Sequence, residues 1–268
     1  MHSMALRSYS RRAARAFTLL ELVVVLSILA ILAGGILVKL DVLQLRANKG
    51  VSASSMAGIS RMIQTYVVTN NHYPDGFDSL IDDNGGSPQL YAGLDPQLIG
   101  GLGGASPTKL TTTTIASASE LRSLNRMGIT SLFEVDAGGG LASGFPSDVF
   151  QTSRTLGVGA TVATLNHPAE GDATAILQHF YPNEATLPPA GKKVLVFGLG
   201  PRCSLIGRSG MLQEAPLYAN SADKVSYYAR HLVAFEVDTG GGRARFLGAL
   251  GADADRLDEE LSEYYELQ

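Results

Sequence analysis

The sequence predicts an α+β fold in which a long N-terminal helix packs on an antiparallel β-sheet. An apolar run at 17–38 is followed by an amphipathic stretch at 39–70, where apolar residues recur at mostly three- and four-residue steps, so one long helix is expected. Apolar segments at 232–237 and 243–250 flank a glycine-rich turn at 238–242, a pattern typical of a β-hairpin. The apolar stripe of the helix needs a cover, and a sheet provides one.

The composition is that of a packed globular protein. The chain has 268 residues, of which 45% are hydrophobic and 17% are charged, which excludes a disordered chain. The formal net charge is −4 and the body of the chain has no basic tract, so we expect no nucleic-acid partner. The single cysteine, Cys203, excludes an intramolecular disulfide and a cysteine-based metal cluster, and we expect it to be buried and structural.

The N-terminus has the pattern of a membrane anchor. Residues 1–16 contain four arginines and no acid, and Glu21 is the one charged residue in the run 17–38. As a helix this run would be about 33 Å long, enough to cross a hydrocarbon core of about 30 Å. The arginines lie on one side of it, so the N-terminus is expected in the cytoplasm.

Other interpretations of the apolar run are a buried core helix, a secretory signal cut near Ala33 and Gly34, and a twin-arginine signal that uses Arg11 and Arg12. Glu21 argues against both signals because a signal peptide has no use for a carboxylate there.

Glu21 requires a partner. A carboxylate within a bilayer costs about 3 kcal/mol, and the apolar run contains no other charge. Cleavage between Ala16 and Phe17 would create an α-ammonium group four residues from Glu21, and the ammonium of a neighbouring copy would pair strongly with it at low dielectric. The sequence therefore predicts a cut before Phe17 and a partner helix.

The stretch from Ala16 to Glu21, between a basic leader and an apolar helix, resembles the N-terminal cleavage and methylation motif of type IV prepilins and type II secretion pseudopilins. The resemblance covers residues 11–38. It implies that a prepilin peptidase cuts after Ala16 and methylates Phe17, and that Glu21 is needed for assembly into a filament. The chain departs from the family at Ala16, where glycine is usual, and in lacking a proline in the middle of the helix.

The resemblance implies a structural subunit without a cofactor, and not an enzyme. It divides the chain into a leader at 1–16, a membrane-spanning half-helix at 17–38, an amphipathic half-helix at 39–70 and a periplasmic head at 71–268. The precursor is expected in the inner membrane as a single-pass protein with a cytoplasmic N-terminus. Its expected partners are other pseudopilin or pilin subunits, prepilin peptidase, the inner-membrane assembly platform and the membrane.

The end of the helix favours the secretion branch of the family. Tyr66 and the pair Tyr73-Pro74, followed by Phe77 and Leu80, resemble the helix end of pseudopilins. A type II secretion pseudopilus subunit is therefore the expected function. Two alternatives stay open: a type IV pilus subunit for adhesion, motility or DNA uptake, and a membrane-anchored exported enzyme or sensor.

The head contains further elements that can be predicted from local patterns. Ser117 and Glu120 have capping-box spacing and predict a helix that ends at Gly128. Strands are expected at 129–135, at 193–197 and, interrupted by glycine, at 155–165. The stretch 84–108 is expected to be a long loop with one short helical turn, and 137–147 a second loop. The acidic tail at 253–266 has helical spacing, and its charges are expected to face solvent or a neighbouring subunit.

An acidic loop is the candidate metal site. Asp75, Asp78, Asp82 and Asp83 offer the oxygen ligands that Ca²⁺ prefers, although EF-hand spacing is absent, and some pseudopilins bind calcium. Gly198 and Gly200 lack the rest of a phosphate-binding fingerprint and predict a turn. The histidines and serines show no metalloprotease or nucleophile-elbow motif, so no catalytic residue is expected.

Overall fold

The computed structural model describes residues 18–83, 86–100, 108–135, 148–166, 173–208, 210–218 and 227–267. The helices in these ranges are α1 (Leu19–Asn70), α2 (Pro96–Ile99), α3 (Ala118–Asn125), α4 (Ala173–Phe180) and α5 (Leu257–Glu266). The strands are β1 (Phe77–Asp78), β2 (Ile81–Asp82), β3 (Gln89–Leu90), β4 (Leu110–Thr114), β5 (Ser131–Val135), β6 (Phe150–Thr155), β7 (Thr161–Leu165), β8 (Lys192–Gly198), β9 (Leu232–Asp238) and β10 (Arg245–Leu250).

The chain divides into two compact units, Met1–Leu45 and Arg46–Gln268. In the described part of the first unit, α1 exposes most of its large apolar side chains. A search of the described residues found no helix with the length and apolarity that a membrane span requires.

The second unit is built on a mostly antiparallel, curled sheet with β8 at its centre. One edge of β8 pairs with β9 over the full length of both strands, and β9 pairs in turn with β10. The other edge of β8 pairs with β7 through Ala163 and Thr164, and with β1 at Gly198. The sheet then continues from β7 to β4, and from β1 through a parallel pairing to β5 and on to β6.

Alternate residues of β8 pack into two apolar cores, one on each face of the sheet. Leu195 and Phe197 belong to the core that also contains Ile59 and Ile63 of α1. Val194 and Val196 belong to the opposite core, which contains buried residues of α4. A strand that is buried on both faces has a continuous apolar sequence, which explains the run at 193–197.

The structure confirms the α+β prediction and most of the predicted elements. The long helix, the central strand and the hairpin of β9 and β10 are present. Ser117 caps α3 by accepting a hydrogen bond from the Glu120 amide at 3.2 Å. The strand expected at 155–165, interrupted by glycine, is present as β7 and the last residue of β6, and a turn with Gly159 at φ +89° separates the two.

Other differences concern short or ambiguous segments. The stretch 84–108 contains the expected short helical turn, α2, and also the short strand β3, which was not expected. The strands β4 and β7 pair over five residues, and neither β4 nor α4 was among the predicted elements. The loop predicted at 137–147 lies outside the described residues.

Candidate functional site

The N-terminal end of α1 is held by a reciprocal cap between Thr18 and Glu21. The Thr18 amide and hydroxyl each donate to Glu21 Oε2 at 2.9 Å, and the Glu21 amide donates to Thr18 Oγ1 at 3.3 Å. This is a capping box, in which a threonine and a glutamate three residues later satisfy each other's free groups. Ala16 and Phe17, the predicted cleavage and methylation residues, lie outside the described residues.

The cap corrects one expectation. Glu21 was expected to find its partner only outside its own apolar run, yet Thr18 supplies three hydrogen bonds to it or from it. The spacing of Thr18 and Glu21 is the same one that predicts the cap of α3 at Ser117 and Glu120, so the signal is present in the sequence. The role of Glu21 in assembly stays a prediction.

The other end of α1 is fixed to the hairpin of β9 and β10 by Tyr73. The Phe246 amide donates to the Tyr73 hydroxyl at 2.9 Å, and the Tyr73 ring packs edge-on against Phe235 with centroids 5.1 Å apart. One turn before the helix ends, the Tyr66 hydroxyl lies 3.3 Å from Ser204 Oγ. The tyrosines of the pseudopilin-like pattern therefore connect the helix to the sheet and to the loop that follows β8.

The acidic loop does not gather its four carboxylates. Asp75 accepts four hydrogen bonds from the amides and hydroxyls of Thr130 and Ser131, at 2.6 to 3.1 Å, so it fastens β5 to the segment before β1. Asp78 is fully buried in β1, Asp82 lies in β2, and Asp83 is exposed. Among the described residues, no three of these carboxylates lie close enough together to share a metal ion.

Asp78 forms a buried pair with Tyr228. The Tyr228 hydroxyl donates to Asp78 Oδ2 at 2.7 Å. Burial raises the pKa of Asp78 to about 8, against the smaller opposing effects of the Tyr228 hydrogen bond and of nearby arginines, so the side chain is uncharged at pH 7. A Cβ at Gly200 would lie 2.0 Å from Asp78 Oδ1, which explains why the turn after β8 contains glycine there. The turn is thus packed against a carboxyl group, as expected for a turn without a phosphate-binding role.

A second buried polar site joins α1 to the C-terminal segment. We call it the ionic cluster, and it consists of Lys49, Lys109, Asp253, Asp255 and Glu260, all buried.

The lysines of the ionic cluster connect segments that are far apart in the sequence. The Lys109 ammonium lies 2.9 Å from Asp255 Oδ1 and donates to the Asp253 carbonyl at 2.9 Å. The Lys49 ammonium lies 3.5 Å from Glu260 and forms a further ion pair with Glu263 at the rim. Sequence reasoning missed this site.

The burial of these acids overturns the expectation for the acidic tail. Asp253, Asp255 and Glu260 were expected to face solvent or a neighbouring subunit, but each is less than a tenth exposed. The rest of α5 follows the expectation better, since the side chains of Asp258 and Glu259 are about half exposed. The buried acids face lysines from α1 and from the start of β4, which local sequence patterns do not reveal.

Charge pairing keeps both lysines of the ionic cluster protonated. Burial alone lowers the pKa of Lys49, but the hydrogen bond to Glu263 and the charges of Glu260 and Asp255 raise it overall. Burial also lowers the pKa of Lys109, and the charge and hydrogen bond of Asp255 outweigh that effect. Three carboxylates of the cluster lie within 4.8 Å of one another, a spacing that would suit a metal ion, but the two ammonium groups already supply positive charge there.

The remaining sequence candidate is Cys203, which is buried as expected. Burial raises the pKa of its thiol strongly, so the group is an unreactive thiol at neutral pH.

The comparison with protein families concerns the N-terminus. Residues 11–37 match the model of the prokaryotic N-terminal methylation motif, which is the prepilin-type cleavage and methylation motif of type IV pilins and pseudopilins. The chain has no significant match among curated proteins or among solved structures. The motif indicates a membrane-anchored, type IV pilin-like subunit that prepilin peptidase processes, from a class that is structural and generally non-enzymatic.

Proposed function

We propose that this chain is a structural subunit of a type II secretion pseudopilus, cleaved after Ala16, methylated at Phe17 and assembled through its N-terminal helix. The observation that carries the proposal is the methylation motif at 11–37 at the start of a 52-residue helix. The second half of that helix is packed into a β-rich head. This arrangement supplies an assembly element and a folded head in one chain.

Two features support the finer assignment. The tyrosines of the pseudopilin-like helix end, Tyr66 and Tyr73, make the contacts with Ser204 and Phe246 that fasten the helix to the head. In the inner membrane, the basic leader would keep the N-terminus cytoplasmic and the head periplasmic. Identical subunits that contact one another head to tail form an open helical array, which suits a filament.

The processing step is tested by the intact mass and N-terminal sequence of the protein purified from membranes. A start at Phe17 with one added methyl group is the expected result. A start near Gly34 would mean a removed signal peptide, and an unprocessed start would mean a plain anchor. Either of these would overturn the proposal, and the second would favour an anchored enzyme or sensor.

The assembly step is tested by separating the charge of Glu21 from its capping role. Glu21→Gln keeps an oxygen that can accept from Thr18 but removes the charge, whereas Thr18→Val removes the capping hydroxyl and keeps the charge. We expect Glu21→Gln to reach the membrane at normal levels and to abolish sheared filaments, and Thr18→Val to assemble nearly normally. Normal assembly of Glu21→Gln would show that the charge is not required.

A type IV pilus subunit is the alternative, because the motif is common to both classes. Deletion of the gene separates them. Loss of secreted proteins with intact surface pili supports the pseudopilus, whereas loss of pili visible by electron microscopy, with normal secretion, supports the pilus.

A further inference from the structure

The geometry of the ionic cluster requires a proton that ordinary ionisation does not provide. The Tyr218 hydroxyl lies 3.0 Å from Asp253 Oδ2 and also contacts Glu260 Oε1. A tyrosine hydroxyl has one proton to donate, and an ionised carboxylate can only accept. If both carboxylates were ionised, one of these two contacts would therefore join two oxygen atoms with no hydrogen between them.

The backbone holds Asp253 in this position. Asp253 Oδ1 accepts from the Asp255 amide at 3.1 Å, and Ala254 between them adopts a left-handed conformation with φ +63°. A Cβ at Gly251 would lie 2.5 Å from Asp253 Oδ1 and 3.0 Å from the Tyr218 ring, so glycine permits the close approach. The arrangement therefore cannot relax simply by rotating the acid away.

The charge balance of the buried groups gives the same result. Among the residues that the structure describes, two ammonium groups, Lys49 and Lys109, face three buried carboxyl groups, so one proton on the carboxyl groups balances the charge of this set. Glu263 adds a negative charge only at the rim, where its side chain is 41% exposed. A buried net charge is costly, and neutralisation by a proton is the usual way to avoid it.

We propose that Asp253, Tyr218 and Glu260 share one proton at neutral pH, and that this proton keeps helix α5 docked beside Lys49. Asp253 donates to the Tyr218 oxygen, and Tyr218 donates to Glu260. Loss of the proton leaves an uncompensated negative charge in the cluster and loosens α5. A cavity of about 320 Å³, lined in part by Lys49, Lys109, Asp253 and Asp255, borders the cluster and gives water a place from which to exchange the proton.

The pKa shifts agree in direction. Burial, and next the charge of Asp255, raise the pKa of Asp253 to about 7, and burial raises the pKa of Glu260. His231 packs edge-on against Tyr218, and burial lowers its pKa to about 4, so it stays neutral near pH 7. The charged groups that face the cluster from the packed segments are Lys49 of α1, Lys109 before β4, Asp255 and Arg256 before α5, and Glu259, Glu260 and Glu263 of α5.

The test is hydrogen exchange, measured by mass spectrometry on the full-length processed protein in detergent. Opening of α5 releases the proton, because Asp253 in the opened segment is ionised at any pH well above 4. After correction for intrinsic rates, exchange of the 257–266 amides should rise about tenfold from pH 6 to pH 8. Amides of the β8 and β9 ladder report global unfolding, whose pH dependence also contains Asp78. The rise at 257–266 should therefore persist in Asp78→Asn, whereas the rise in the ladder should shrink.

The variant Asp253→Asn imitates the protonated acid, because its amide group can donate to Tyr218 while its oxygen still accepts from Asp255. We expect it to abolish the pH dependence of α5 exchange. The control Asp238→Asn alters an acid outside the cluster that is paired with Lys192, and should behave as the parent does. A parent without the tenfold rise, or an Asp253→Asn variant that keeps it, overturns the proposal.

A second readout does not depend on the stability of any variant. Infrared difference spectra of the parent between pH 6 and pH 8 should show the loss of a protonated carboxyl band with a midpoint near pH 7, beside the band of Asp78, which is lost with a midpoint near pH 8. Loss of this band in Asp253→Asn would assign it, and a parent that shows no such band would overturn the proposal.

Discussion

The ionic cluster and the Asp78–Tyr228 pair both contain a buried carboxyl group, but the two sites stabilise it in different ways. Each places a carboxyl group against a tyrosine hydroxyl, at 2.7 Å in the pair and 3.0 Å in the cluster. The cluster joins three distant segments and contains two lysines. The pair lies at the junction of β1 with β8 and, within the described residues, Asp78 forms no ion pair with a lysine or arginine.

The difference teaches when a buried acid stays charged. Asp255 can remain ionised because the Lys109 ammonium lies 2.9 Å away. Among the described residues, the hydrogen-bond donor to Asp78 is the Tyr228 hydroxyl, so burial raises the pKa of Asp78 to about 8 and it keeps its proton at pH 7. The stability of a site with a cation therefore depends on both partners of the ion pair. The stability of a site without a cation depends on the proton of its acid.

The largest effect should come from removing a cation of the cluster. Lys109→Met preserves side-chain length and leaves the buried Asp255 with the more distant Lys49 ammonium at 4.0 Å in place of Lys109 at 2.9 Å, so we expect a loss of about 3 kcal/mol in the free energy of unfolding. Chemical denaturation at pH 7 measures it. Lys192→Met is the matched control, because its partner Asp238 is more exposed, and should cost below about 1 kcal/mol. Equal costs for the two variants would remove the distinction between the sites.

The second-largest loss of stability is expected at the Asp78–Tyr228 pair. Tyr228→Phe removes the hydrogen bond to Asp78 Oδ2 in a fully buried site, and should cost about 1–3 kcal/mol. Tyr265→Phe is the control, since that ring is 63% exposed, and should leave the midpoint of denaturation unchanged. A Tyr228→Phe protein as stable as the parent would mean that the Asp78 carboxyl group finds another partner.

The pH dependence of the free energy of unfolding distinguishes the proton on Asp253 from the proton on Asp78. A raised folded pKa stabilises the fold fully below the unfolded value near 4, and this contribution is lost as pH rises toward the folded pKa. Asp253 is half titrated near pH 7 and loses the smaller remaining part of its contribution above it, whereas Asp78 titrates mainly near pH 8. Stability should therefore fall by about 1 kcal/mol from pH 7 to pH 8, since one proton corresponds to about 1.4 kcal/mol per pH unit. Asp78→Asn should remove most of this fall, and Asp253→Asn should preserve most of it.

The smallest effect is expected at the rim of the cluster. Glu263→Gln removes one charge near Lys49 but leaves Glu260 as its partner, and the Glu263 side chain is 41% exposed. The cost should stay below about 1 kcal/mol and should shrink further in high salt. A loss in the free energy of unfolding as large as that of Lys109→Met would mean that Glu263 must be counted among the buried charges of the cluster.

The elements that sequence patterns predict here are those with local signals. Helix α1 has apolar residues at helical spacing over a long stretch, the hairpin of β9 and β10 has a glycine-rich turn, and α3 has Ser117 as its cap. The Thr-rich strand β4 has no such signal, because four of its five residues are threonines and the alternation between its faces is hidden. Pairing with β7 determines that strand, and pairing is a tertiary property.

The same difference between local and tertiary signals applies to the candidate functional sites. The methylation motif is a contiguous segment, so its residues are visible in one stretch of sequence. Lys49, Lys109 and Asp255 are far apart in the chain, and each has the sequence context of a solvated surface charge. Only the packing of α1, β4 and α5 brings them together. The one signal available was the small residue Gly251 beside two acids, which is too common to identify a site.

The capping box at Thr18 has a consequence for how a filament of the proposed kind would grow. In a subunit that waits for its neighbours, the Glu21 carboxylate already accepts two hydrogen bonds from Thr18, so it is not a bare carboxylate. An incoming ammonium group must displace or share those bonds, and the strength of association is the difference between the two arrangements. Thr18 would then set how reversible each addition is, and a residue that never touches the neighbour would tune the lifetime of the polymer.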